Sequence, residues 1–152
     1  MKILLAVDGS EFSQEAVKAL ISQMRPDGAE VLVLRVVEPH IFSIPPQMAP
    51  GYAPEQDEIL KEEFQHAKES VNQASEALRS AGFSVNTRIV ECEARNGILD
   101  VAAEWRAHLI VLGSHGRKGL QRFLLGSVAD FVARHADCSV EIVRVPPKRE
   151  ET

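Results

Sequence analysis

Short runs of apolar residues alternate along this chain with longer segments in which apolar residues recur every three or four positions. A short continuous apolar run is typical of a strand buried on both faces, and the three-to-four spacing is typical of a helix packed along one side. Strands are predicted at residues 2–7, 30–37, 83–90, 108–112 and 140–145. Helices are predicted from a cap at Ser10 to about residue 24, at 55–81, from a cap at Asn96 to about residue 107, and at 126–135.

The alternation of strands with helices predicts an α/β fold, in which helices cover both faces of an open parallel sheet. Residues 83–90 alternate only partly between apolar and polar, which suits an edge strand. Ligands of such sheets bind beyond the carboxyl ends of the strands, where the strand order reverses. Asp8-Gly9-Ser10 and the stretch from Gly113 to Gly116 both follow strands at such ends. We therefore expect these two turns to meet at a ligand-binding crevice.

The composition fits a single domain over residues 1–146, followed by a flexible tail at 147–152. The chain has 152 residues, of which 45% are hydrophobic and 26% charged, and this length allows a core without disulfides. A net charge of -5 argues against nucleic acids and membrane surfaces as partners, and no apolar run is long enough to span a bilayer. The N-terminal run is interpreted as a strand and not as a signal peptide. Two distant cysteines without C-x-x-C spacing suit a reducing cytoplasm.

Residues 38–54 form a proline-rich segment, since five of the eight prolines fall there. The segment is predicted to be a long loop without regular structure. Two interpretations stay open. It is either a solvated connection that spans a gap, or a functional loop whose aromatic residues Phe42 and Tyr52 shield a ligand or contact a partner.

The segment from Gly113 to Ser127 carries the strongest chemical signal. It reads G-S-H-G-R-K-G-L-Q-R-F-L-L-G-S, directly after an apolar run, and contains basic residues but no acid. Glycines let backbone N–H groups approach an anion, and a helix N-terminus adds unpaired donors and partial positive charge. Neither the Walker pattern G-x-x-x-x-G-K-[ST] nor the dinucleotide pattern G-x-G-x-x-G is present. The remaining pattern is G-x-x-G, nine residues and then G-S, which predicts a phosphate-binding loop.

This spacing resembles the signature of the ATP-binding members of the universal stress protein family. The likeness runs from I-L-L-A-V-D-G-S through H-L-I-V-L-G-S-H-G-R to C-S-V-E-I-V-R-V near the end of the chain. The resemblance implies a Rossmann-like fold of the adenine nucleotide alpha hydrolase type, with five parallel strands in the order 3-2-1-4-5. It also implies a cytoplasmic homodimer that binds ATP, with ADP or AMP as alternatives and Mg²⁺ as the accompanying ion.

The resemblance also assigns roles to residues by position. The residues implied to line the nucleoside or to contact adenine and ribose are Ala6, Val7, Asp8, Val36, Leu112 and Gly113. Those implied to hold phosphates, mainly through N–H groups, are Gly116, Gly126, Ser127 and Val128, with His115 near the ribose or the phosphates. The loop cations Arg117, Lys118 and Arg122 either contact phosphate or remain solvated. A Gly126→Val variant is expected to block the phosphate path without unfolding the domain.

Asp8 and His115 are the candidate reactive side chains of the two turns. Asp8 either only forms the Asp-Gly turn, or accepts from ribose hydroxyls and holds a divalent cation through water. His115 has no evident acid–base partner, so no catalytic residue is predicted, and no histidine has metal-like spacing. The predicted function is a nucleotide-dependent switch in the stress response with an unidentified protein partner. The alternatives are a slow ATPase or phosphotransferase, and a structural dimer with a vacant pocket.

The chain departs from the family pattern near its last strand. Ser139 stands where many members have proline. Glu141 places a charge in the strand at residues 140–145, through which family dimers commonly pair, and a charge there can blunt a sheet edge. Arg144 could offset Glu141 across an antiparallel pair of these strands.

Overall fold

The computed structural model describes residues 1–39, 53–116 and 124–145, and the side chains of residues 53–56 are not described. Its elements are β1 (Lys2–Ala6), α1 (Glu11–Gln23), β2 (Glu30–Val37), α2 (Ala53–Ser80), β3 (Ser84–Glu91), α3 (Ala94–Trp105), β4 (Leu109–Gly113), α4 (Ser127–His135) and β5 (Ser139–Val143). The five strands form one parallel sheet in the order β3-β2-β1-β4-β5. The fold class and the strand order are therefore confirmed.

Helices cover both faces of the sheet, and the middle residues of β1, β2 and β4 are therefore buried whichever face their side chains point to. Ile3, Leu5 and Val33 point into the core beneath α1 and α2, whereas Leu4 and Leu34 point into the core beneath α3 and α4. Successive side chains of a strand point to opposite faces, so a continuous apolar run supplies both cores at once. Within the described residues, no helix has the length and apolar character needed to cross a membrane.

The element boundaries follow the predictions closely. β2 covers the predicted residues 30–37, whereas β1 ends one residue earlier than predicted, and β5 starts at Ser139 and ends at Val143. α2 begins at Ala53, inside the segment that was predicted to be a loop up to residue 54. Pro54 is compatible with this early start, because the first turn of a helix leaves its N–H groups without intrahelical partners.

The predicted start of α3 is wrong. The helix begins at Ala94 with Glu93 as its N-cap residue, and Asn96 lies inside the first turn, where its side-chain amide donates to Glu93 Oε2 at 2.9 Å. The Ala94 N–H donates to Glu38 Oε1 at 3.0 Å, so a carboxylate from the end of β2 satisfies the helix start. Residue 97 lies within this helix and is a glycine, because a Cβ there would lie 2.5 Å from Cys92 Sγ.

Three predicted features lie wholly or largely outside the described residues. They are residues 40–52 of the proline-rich segment, the loop at 117–123 with its three basic side chains, and the C-terminal tail.

Candidate functional site

The carboxyl ends of β1 and β4 open into a cavity of about 730 Å³. These strands are neighbours in the sheet, and the chain leaves β1 towards α1 on one face and leaves β4 towards α4 on the other. Strand order reverses at this point, and a crevice therefore opens between the two connections. All of the residues implied by the resemblance line this cavity, namely Ala6, Val7, Asp8, Val36, Leu112, Gly113, His115, Gly116, Gly126, Ser127 and Val128.

The turn after β1 meets the loop after β4 at Asp8. The carboxylate Oδ1 of Asp8 accepts the Ser10 N–H at 2.9 Å, which stabilises the turn. Oδ2 points to Gly116, where a Cβ would lie 3.0 Å from it. Asp8 therefore forms the turn and also lines the cavity, so its two interpretations are compatible.

Two hydrogen bonds tie Ser114, which follows β4, to β5 and to the start of α4. The Ser114 N–H donates to the Val143 carbonyl of β5 at 2.8 Å, and the Gly126 N–H donates to the Ser114 carbonyl at 2.7 Å. Gly126 is the N-cap residue of α4 and supplies no side-chain acceptor to the first turn. The first-turn N–H groups of α4, beginning with Ser127, are therefore suited to an anion in the cavity.

The glycines of the loop have different packing constraints. A Cβ on Gly113 would come within 2.7 Å of Phe12 Cβ and 2.8 Å of the Phe12 carbonyl carbon, so its side-chain position faces the backbone of α1. A Cβ on Gly126 would lie 3.0 Å from the Ser114 carbonyl oxygen and 3.1 Å from His115 Cα. A side chain at this position would therefore press on the closure of the loop as well as on the predicted phosphate path.

His115 is half-buried at the wall of the cavity. Its Nδ1 lies 3.0 Å from Ser114 Oγ, and its ring centroid is 5.1 Å from that of Phe12. Its Nε2 is buried and has no hydrogen-bond partner in the described part of the chain. The Ser114 hydroxyl and the Phe12 ring contact the imidazole and hold it in place.

Val36 turns its peptide groups towards the cavity. Residues along a parallel strand bond alternately to the strand on one side and to the strand on the other. The Val7 N–H donates to the Leu34 carbonyl on the β1 side, and the Cys92 N–H donates to the Val37 carbonyl on the β3 side, at 2.9 and 3.1 Å. By this alternation the N–H and C=O of Val36 face the β1 side, past the end of β1, where a flat ring could bond to them.

Sequence reasoning missed several residues that line the cavity: Ser13, Leu34, Arg35, Glu38, Ala94, Ile98, Leu124, Leu125 and Ala129. Arg35 had a detectable signal, because it is a charge within the apolar run V-L-V-L-R-V-V. Glu38 also had one, since it follows the carboxyl end of β2 directly.

The described side chains match neither of two kinds of reactive centre, a metal site and a nucleophilic cysteine. No group of three His, Cys, Asp or Glu residues suited to a metal ion occurs among residues 1–39, 57–116 and 124–145. Burial, reinforced by the carboxylates of Asp100, Glu38 and Glu93, raises the pKa of the Cys92 thiol, which disfavours the nucleophilic thiolate. The cavity is lined by N–H donors, by the carboxylates of Asp8 and Glu38, by Arg35 and by apolar side chains.

Comparison with known proteins places this geometry in a family. The universal stress protein family matches residues 1–144. A universal stress protein of Methanocaldococcus jannaschii is 38% identical over 147 residues, which cover 97% of this chain and 84% of that protein. The solved universal stress protein UspA of Lactobacillus plantarum is 27% identical with a TM-score of 0.79, covering 95% of this chain and 97% of that one. The universal stress protein of Archaeoglobus fulgidus, solved in complex with dAMP, is 26% identical with a TM-score of 0.66, covering 94% and 97%.

Proposed function

Because this chain belongs to the universal stress protein family, we propose that its cavity binds an adenine nucleotide, with ATP as the principal ligand and ADP or AMP as alternatives. One observation carries the proposal: the turn after β1, the end of β2, the loop after β4 and the start of α4 line a single cavity. Its volume of about 730 Å³ falls in the range of small-molecule sites. The dAMP complex of the Archaeoglobus relative adds support.

The proposed nucleotide lies across the crevice with its base at β2. Adenine bonds to the peptide groups of Val36 and packs on Leu112, because an aromatic ring needs both edge donors or acceptors and an apolar face. The ribose lies at Ala6, Val7 and Gly113, where the Asp8 carboxylate can accept from its hydroxyls.

The phosphates lie at the start of α4. Their oxygens accept from the N–H groups of Gly116, Gly126, Ser127 and Val128, and the Ser127 hydroxyl adds a donor. His115 would donate from Nε2 to the ribose or to a phosphate. Mg²⁺ accompanies the polyphosphate, and Asp8 would hold it through water, because Mg²⁺ commonly uses one or two carboxylates together with substrate phosphates.

Nucleotide occupancy is proposed to act as a switch in a cytoplasmic stress response, read by a protein partner. ATP can change partner affinity only if it binds two states of the protein unequally. The two free thiols, Cys92 and Cys138, suit the reducing cytoplasm. The proposal involves no ATP hydrolysis.

The proposed assembly is a homodimer through the last strand, residues 140–145. Support comes from the position of β5 at the outer edge of the sheet. The Val143 carbonyl accepts from Ser114 on the β4 side, so by alternation the peptide groups of Val140 and Ile142 face outward. Sedimentation velocity tests this assembly, and a monomer at every concentration would contradict it.

Two experiments test nucleotide binding directly. Denaturing the purified protein and identifying the released small molecule by mass spectrometry is expected to yield an adenine nucleotide. Calorimetric titration with ATP, ADP, AMP and adenosine then measures each affinity. Absence of both a released nucleotide and binding heat would refute the proposed function.

Ser127 offers a matched pair of variants for locating the phosphates. Ser127→Glu places a carboxylate at the first residue of α4, where it suits the helix but repels phosphate, and Ser127→Gln has the same shape without the charge. ATP affinity is expected to fall at least about tenfold further in Ser127→Glu than in Ser127→Gln, since charges a few ångströms apart near a surface interact by up to about 4 kcal/mol. Equal ATP affinities in the two variants would place the phosphates elsewhere.

A further inference from the structure

We propose that Arg35 is an anion-binding residue of this cavity, and that it makes the site selective for nucleotides over nucleosides. The inference rests on the proposed function and extends it to a residue that the family signature does not include. Arg35 lies near the carboxyl end of β2, beside Val36, and lines the cavity. It is only 5% exposed.

A buried guanidinium demands a reason, because arginine remains protonated and loses hydration when it is buried. At this position in the apolar strand, an aliphatic side chain would join the adjoining core at no electrostatic cost. Burial next to a cavity is the arrangement in which such a charge is useful, since electrostatic attraction is strengthened where water is excluded. Guanidinium groups also match phosphate geometry through paired N–H donors.

The charges around the cavity support an anion-binding role. Among the described residues that line it, Asp8 and Glu38 carry negative charge and Arg35 carries positive charge. Without Arg35 the described lining would present two carboxylates to a ligand that is itself an anion. Arg35 offsets one of them and favours the entry of phosphate.

Arg35 also lies on the side of the cavity opposite the N–H groups of α4. It lies on the sheet face of Val33 and Val37, which α1 and α2 cover, whereas α4 lies on the opposite face. The register pairs Ala6 with Leu34, so Arg35 lies level with the chain that leaves β1 towards Asp8. In the proposed pose, the Arg35 charge would attract the polyphosphate from the sheet face opposite α4, while the α4 N–H groups hold it.

The test compares ATP and adenosine affinities by calorimetry in wild type, Arg35→Met and Arg35→Lys. The matched control is Arg88→Met, because Arg88 lies on β3 outside the cavity lining and pairs with Glu104 at 3.4 Å. In Arg35→Met, ATP affinity is expected to fall about 10- to 100-fold, as for a lost charge-assisted hydrogen bond. Adenosine affinity is expected to change less than about threefold, since adenosine lacks the charged partner. Arg35→Lys should lie between wild type and Arg35→Met, and Arg88→Met should match wild type.

The outcomes separate this inference from the proposed function. If wild type binds no nucleotide, both are refuted. If wild type binds ATP but Arg35→Met loses ATP and adenosine equally, or loses neither, only the role of Arg35 is refuted. Arg35 takes part in interactions within the fold, so thermal unfolding of each variant is measured first. If both Arg35→Met and Arg35→Lys fail to fold, the charge is structural and the inference is wrong.

Discussion

Replacing Gly113 with alanine is expected to destabilise the fold and not only the site. The added Cβ would lie 2.7 Å from Phe12 Cβ, 2.8 Å from its carbonyl carbon and 2.9 Å from its carbonyl oxygen. Carbon atoms in contact normally stay about 3.5–4.0 Å apart. Two of the three atoms belong to the backbone of α1, so a change of rotamer cannot relieve the overlap and the first turn of the helix must move.

The expected cost of Gly113→Ala is about 1–3 kcal/mol, the usual range for overpacking a well-filled site. In a chain of this length, that corresponds to a fall in the melting temperature of roughly 2–12 °C. Urea unfolding followed by circular dichroism measures the free energy of unfolding, and calorimetry on the same samples measures ATP affinity. Loss of binding in this variant therefore cannot by itself identify Gly113 as a ligand contact.

Gly116→Ala is the matched control, because the neighbour of its added Cβ is the end of a side chain. That Cβ would lie 3.0 Å from Asp8 Oδ2, and a carboxylate at a cavity wall can rotate away. The change in unfolding free energy is expected to stay within about 0.5 kcal/mol. The reasoning would be refuted if Gly113→Ala were as stable as wild type, or if both variants lost the same stability.

Three further predictions concern the elements around the site. Ser10→Ala removes the hydroxyl that accepts the Ser13 N–H at 3.2 Å, and urea unfolding is expected to show a loss of about 0.5–2 kcal/mol; an unchanged midpoint would contradict the cap. Arg106→Gly relieves a left-handed residue with φ of 58° at the end of α3, and is expected to raise stability by up to about 1 kcal/mol; a lower melting temperature would show that the side chain matters more than the backbone. Burial raises the pKa of the thiols of Cys92 and Cys138, so the native protein should react with iodoacetamide at pH 8 more slowly than the urea-unfolded chain. Equal rates would contradict that shift.

The strands could be read from the sequence because each carries its own signal. β2 was predicted without error, since it is apolar along most of its length and ends two residues before Pro39. The start of α3 could not be read in the same way. A local rule favoured Asn96 as the cap, but the acceptor of the Ala94 N–H is Glu38, which comes from the end of a different element.

The same contrast between local signals and contacts of distant elements applies to the site. The loop glycines were recognisable because their spacing is local, and the structure brings them into one cavity with Asp8 and Val36. Arg35 was overlooked although its charge interrupts the apolar run of β2, because only the folded structure shows that it lines the cavity.

The sequence by itself determined which segments are strands and helices, and it predicted which loop binds phosphate, because apolar period, turn residues and glycine spacing act over a few positions. Only the tertiary structure decided what the glycine side-chain positions face and which charges border the cavity. The α1 backbone beside Gly113 and the Arg35 charge beside the crevice come from residues far apart in the chain. Parallel strand pairing and helix packing bring these residues together, and no pattern within a few neighbouring positions of the sequence indicates such contacts.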